Sequence, residues 1–107
     1  MIPPDITVHD LVSWRNQGKE FVLLDVREPD EVATARVEGS VWIPMREIPE
    51  RLRELDPTVP VAVMCHHGGR SERVAGFLAS RGFSDVVNVA GGIDAYAQHI
   101  EPNLARY

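Results

Sequence analysis

Four short apolar runs, at residues 21–26, 41–43, 59–64 and 86–89, are separated by stretches whose apolar residues recur at helical spacing. Brief runs that are apolar throughout suit strands buried on both faces, and such strands belong to parallel sheets. Parallel neighbours need a long crossover, usually a helix, and the intervening stretches supply one each time. The expectation is therefore an α/β fold with a mostly parallel sheet. At 107 residues the chain fits a single domain, residues 1–107.

Local signals mark the helices. Thr7 with Asp10 three residues later forms a capping-box pattern, Val8, Leu11 and Val12 share one face, and Gly18 ends the stretch. Pro29 followed by Asp30 and Glu31 reads as a first helical turn. Residues 49–55 read as a helix ended by Asp56-Pro57, and residues 71–81 as a longer one stopped by Gly82. A last short helix is expected at residues 93–98, after Gly91-Gly92.

Composition narrows the function. The net charge is −5 with a single lysine, Lys19, so the clustered cations that bind a phosphate backbone are missing and nucleic acid is not an expected partner. No segment is long and apolar enough to span a bilayer. The first residues carry neither a basic nor an apolar leader pattern, so no membrane partner and a cytoplasmic location are expected. The one cysteine, Cys65, leaves no internal disulfide and no multi-cysteine metal site. Any group Cys65 carries must pass to an outside acceptor.

In parallel sheets, sites form at the carboxyl ends of the strands. Cys65 follows the third apolar run, and His66-His67-Gly68-Gly69-Arg70-Ser71 then leads into a helix. A strand end, a glycine loop and a helix N-terminus together form a bowl of inward-pointing amides, and the first anion they would surround is the Cys65 thiolate. A free cysteine titrates at about 8.5, and such surroundings lower that value. Cys65 is expected to be a reactive nucleophile rather than a space-filling thiol.

The segment from Cys65 to Ser71 resembles the active-site loop of single-domain rhodaneses, which are sulfurtransferases. Asp25-Val26-Arg27-Glu28, Ile43-Pro44, Gly82-Phe83 and Gly91-Gly92-Ile93 resemble further marks of that family, in order along nearly the whole chain. The resemblance implies a three-layer α/β/α fold, a mostly parallel five-stranded sheet with helices on both faces. It implies a double displacement. Cys65 takes a sulfane sulfur from thiosulfate or a persulfide, then hands it to cyanide or a thiol acceptor, with no metal and no cofactor beyond the covalent persulfide. The donor or acceptor is a small molecule or a partner protein. Two rival readings are a sulfur-carrier or regulatory module serving a partner protein, and a cysteine phosphatase or arsenate reductase on the same fold. The related phosphatases use a loop one residue longer, Cys-x5-Arg, whereas four residues separate Cys65 from Arg70 here.

The loop residues His66, His67, Gly68, Gly69, Arg70 and Ser71 are the expected substrate-binding set. His66 and His67 are expected to contribute backbone N–H groups and to shape the pocket mouth rather than to hold a metal. Arg70 either binds a sulfonate or pins the loop through backbone carbonyls. Ser71 reads as a helix N-cap whose hydroxyl can also donate to a persulfide. Asp25, Arg27 and Arg36 are supporting residues. Asp25 is read as an anchor between loops and Arg27 as a group that could reach substrate. Arg36 stands in Ala35-Arg36-Val37, where relatives usually have Gly-His-Ile, and would add positive charge near the pocket.

Overall fold

The computed structural model describes residues 3–107. Five strands form one sheet: β1 (Asp5–Ile6), β2 (Val22–Asp25), β3 (Val41–Trp42), β4 (Val61–Met64) and β5 (Val86–Val89). Their spatial order is β1-β5-β4-β2-β3, and every neighbouring pair is parallel. The central strand β4 pairs Asp25 with Met64 on one side and Val63 with Asn88 on the other. This register brings the carboxyl ends of β2, β4 and β5 to one edge, and Cys65 leaves the sheet there.

The side-chain alternation of β4 splits the core into two. Val61, Val63 and Cys65 face one cluster, with Leu24, Val26 and the α3 residues Val74, Ala75 and Leu78 (α3, Gly69–Ser80). Ala62 and Met64 face the other, with Leu23, Val87, Val89 and residues of α1 (Val8–Asn16) and α4 (Gly92–His99). Helices therefore cover both faces, and all four residues of β4 and of β5 are buried. That is why those runs are apolar without alternation.

The local signals at Thr7 and Pro29 act as expected. Thr7 caps α1 in a full capping box with Asp10, and Pro29 opens α2 (Pro29–Thr34). The helix expected at residues 49–55 is reduced to one 3-10 turn, Leu52–Glu54, and another 3-10 turn, Met45–Glu47, precedes the segment. Arg51, at φ −108° and ψ 15°, leaves helical geometry in the middle of this segment, so no continuous α-helix forms. The short i to i−3 bonds from Glu47 to Pro44 and from Glu54 to Arg51 take over. The edge strand β1 was not among the four apolar runs.

Candidate active site

Cys65 follows directly on β4 and is 2% exposed. The backbone N–H of Gly68 donates to its Sγ at 3.0 Å, and the Ser71 hydroxyl lies 3.3 Å away. Burial pushes the Cys65 thiol up. The Ser71 hydroxyl and the N–H groups of Ser71, Gly68 and His67 outweigh it, and the thiol titrates below its ordinary value.

The cup keeps its shape because something else holds the loop's carbonyls. The first amides of α4 donate to the outward-facing oxygens: Ile93 N–H to Cys65 O at 2.9 Å and Asp94 N–H to His66 O at 3.1 Å. With the carbonyls turned outward, the neighbouring N–H groups are free to face the sulfur. Two glycines permit this geometry. Gly68 precedes α3 at φ 118°, a region closed to other residues. Gly92 sits at φ 57°, and a Cβ there would collide with the Cys65 and His66 carbonyl oxygens.

Ser71 does not cap α3. Gly68 holds that position, the helix begins at Gly69, and Ser71 lies within the first turn. The helix starts early because left-handed Gly68 reverses the chain immediately before it. Ser71 is instead buried between three acceptors: Cys65 Sγ, Gly68 O at 3.1 Å and Asn88 Oδ1 at 2.5 Å. Asn88 in turn donates through Nδ2 to Asp5 Oδ1 at 3.0 Å. The chain Cys65–Ser71–Asn88–Asp5 thus ties the nucleophile to the edge strand.

Arg70 neither pins the loop through backbone carbonyls nor stands free to meet a sulfonate. It forms a two-pronged pair with Glu31 of α2, at 2.6 and 2.8 Å. Glu31 reaches it because α2 packs at the mouth of the loop with its acidic first turn turned toward α3. The same carboxylate accepts from the Glu28 N–H and from the Tyr107 hydroxyl. Arg70, helped by Glu28 and Tyr107, overcomes the effect of burial and holds Glu31 down to about 2.

Asp25 and Arg27 are fully buried and paired by two prongs, at 2.9 and 2.7 Å. The remaining Arg27 donors go to Glu31 O, Ala35 O and the Tyr107 hydroxyl. Arg27 is therefore sealed and fully engaged rather than extended toward substrate, and it fastens α2 and the segment after it to the end of β2. Arg36 is exposed and donates to Ser40 O, a contact within its own loop.

His66, His67 and Tyr107 form a stack, with centroid spacings of 4.0 and 4.1 Å. Burial and the neighbouring His67 keep His66 below the ordinary histidine value. His66, His67 and Asp94 can bring ligand atoms within 4.8 Å of one another. Their geometry is poor for one ion, because the two imidazole planes lie 21° apart and their in-plane lone pairs run side by side. Asp94 is also held in a fork by Arg106. Glu31, Asn88 and Tyr107 were not in the expected site. Asn88 alone left a sharp signal, a polar residue inside an otherwise β-branched run.

The fold and site together are those of an all-parallel α/β domain that presents a buried cysteine in an amide-lined loop at a strand's carboxyl end. Residues 7–99 match the family model described as rhodanese-like domain, and the chain belongs to that family. It is 36% identical to thiosulfate sulfurtransferase GlpE of Pseudomonas syringae, over 89% of this chain and 84% of that protein. It is 38% identical to the chloroplastic rhodanese-like/PpiC domain-containing protein 12 of Arabidopsis thaliana, over 96% of this chain but 37% of that longer protein. The structure of a rhodanese-like domain protein from Staphylococcus aureus superposes with a TM-score of 0.84 at 29% identity, covering 97% of this chain and 98% of that one.

Proposed function

We propose that this domain is a sulfurtransferase that carries a sulfane sulfur as a persulfide on Cys65. The observation that carries this reading is the Gly68 N–H aimed at the Cys65 sulfur at 3.0 Å, with the Ser71 hydroxyl 3.3 Å from the same atom. Such donors stabilise a thiolate before the reaction and a charged sulfur during it, without reorganising. The Cys65 thiolate attacks the outer sulfur of thiosulfate or a persulfide, and sulfite or a thiol leaves with the electron pair. A thiol or cyanide acceptor then attacks the outer sulfur of the persulfide and regenerates the thiolate. The donor and acceptor are small molecules or groups presented by a partner protein. A reducing compartment such as the cytoplasm suits a thiol that must stay free between turnovers.

The test is intact-protein mass after incubation with a sulfane donor. One added sulfur, about 32 Da, is expected on the native chain and not on Cys65→Ser. Absence of the adduct with both thiosulfate and a persulfide would refute the proposal.

A further inference from the structure

Arg70 is the only arginine or lysine of the loop, five residues after Cys65. A dianionic donor needs such a cation. Yet both prongs of its guanidinium face the Glu31 carboxylate, which is fixed by the Glu28 amide and the Tyr107 hydroxyl as well. A ligand that claimed the same fork would have to displace a carboxylate held by three partners. Other arginines around the loop are also engaged: Arg27 with Asp25, Arg46 with Glu28 and Arg106 with Asp94. These pairs cancel, and none of the four arginines is left unpaired to meet a dianion beside the thiolate.

We propose that Glu31 sets the donor class of this site: by occupying Arg70 it selects persulfides of thiols over dianionic donors such as thiosulfate. The inference rests on the sulfurtransferase reading and narrows it. The favoured step is Cys65–S⁻ + R–S–SH → Cys65–S–S⁻ + R–SH. A bond forms between Sγ and the outer sulfur, the R–S to S bond breaks, and the leaving thiolate takes up the proton that the outer sulfur carried. The corresponding step with thiosulfate brings two further negative charges to the mouth and releases sulfite as a dianion. In a partly dry site, repulsion between like charges at such separations is substantial.

The experiment compares second-order rates of Cys65 persulfidation, read by intact mass, with two donors: thiosulfate and the persulfide of 2-mercaptoethanol, whose organic part is uncharged. Glu31→Gln keeps the shape of the side chain and removes its charge. It should raise the ratio of the thiosulfate rate to the persulfide rate at least about fivefold. Glu20→Gln removes an equal charge from an exposed residue just before β2, at the opposite end of the sheet, and should move that ratio less than about twofold. An unchanged or falling ratio in Glu31→Gln, or an equal rise in Glu20→Gln, would overturn the inference.

A second measurement needs no variant. In the native protein the thiosulfate rate should rise as salt screens the repulsion, and a fall would mean that the mouth attracts the dianion, which overturns the inference. If neither donor loads Cys65, the sulfurtransferase reading fails as well. If both load and the ratio does not respond to Glu31, only the donor assignment fails.

Discussion

Ser71 Oγ stands 2.5 Å from the side-chain oxygen of Asn88, closer than its 3.3 Å to the sulfur it also faces. A hydroxyl has one proton, and Asn88, Gly68 O and Cys65 all compete for it. Asp5 decides which way Asn88 points. Its carboxylate accepts from Nδ2, so the amide oxygen must face Ser71, since flipping it would set two acceptors against each other. Asn88 therefore draws part of the Ser71 hydroxyl away from the nucleophile.

Opposite shifts follow from two substitutions in this chain. Ser71→Ala removes a donor, so Cys65 should titrate higher. Asn88→Val suits a buried strand and frees the Ser71 hydroxyl for sulfur, so Cys65 should titrate lower. The pH dependence of iodoacetamide alkylation measures both, and shifts in the same direction would contradict the competition.

Gly92 tests the outer support of the loop. Adding a methyl group there forces a left-handed residue against two carbonyl oxygens whose positions are fixed by Ile93 and Asp94. Gly92→Ala should cost about 2–4 kcal/mol in urea unfolding, from backbone strain and overpacking together. It should also raise the Cys65 titration point, because the amides would lose their aim. Gly69→Ala, where a Cβ meets nothing within 4 Å, is the comparison and should cost much less.

The Asp25–Arg27 pair is a structural anchor. Arg27→Met leaves a buried carboxylate without its partner and should lower stability by about 3–5 kcal/mol, read from thermal or urea unfolding. Adding Asp25→Leu should recover part of that loss. A role for Arg27 in touching substrate predicts otherwise: persulfide loading per folded molecule would collapse in Arg27→Met and stay collapsed in the double variant.

What the sequence disclosed was whatever its local chemistry could encode. Pro29, the Thr7–Asp10 pair and the β-branched run ending at Cys65 each specify a short piece of backbone, and each lies where it was expected. The two residues of β1 carry no periodicity and become a strand only because β5 offers them an edge. Pro49 was readable as a helix start, yet the backbone leaves helical geometry two residues later, at Arg51. The cup was legible from Gly68 and Gly69, but the partner of Arg70 was not. Glu31 lies 39 residues away, and only the docking of α2 brings the two together. Tyr107 has no local signal at all. Its place is set by His66 from one segment and by Arg27 and Glu31 from another.

The Glu31–Arg70 pair also makes acid stability predictable. Glu31 titrates at about 2 in the folded protein, against about 4.3 for an unfolded glutamate. The unfolded chain therefore binds this proton first as pH falls. Stability from the pair is fully present above about pH 5 and is lost as pH drops toward 2. The side chain is only 14% exposed, so the contribution is on the order of 2–3 kcal/mol rather than that of a surface ion pair. Glu31→Gln should thus melt well below the native protein at pH 7, and the gap should close between pH 5 and pH 2. A gap that persists unchanged at pH 2, followed by circular dichroism, would mean that the carboxylate's charge contributes nothing and that only its shape holds the mouth of the loop together.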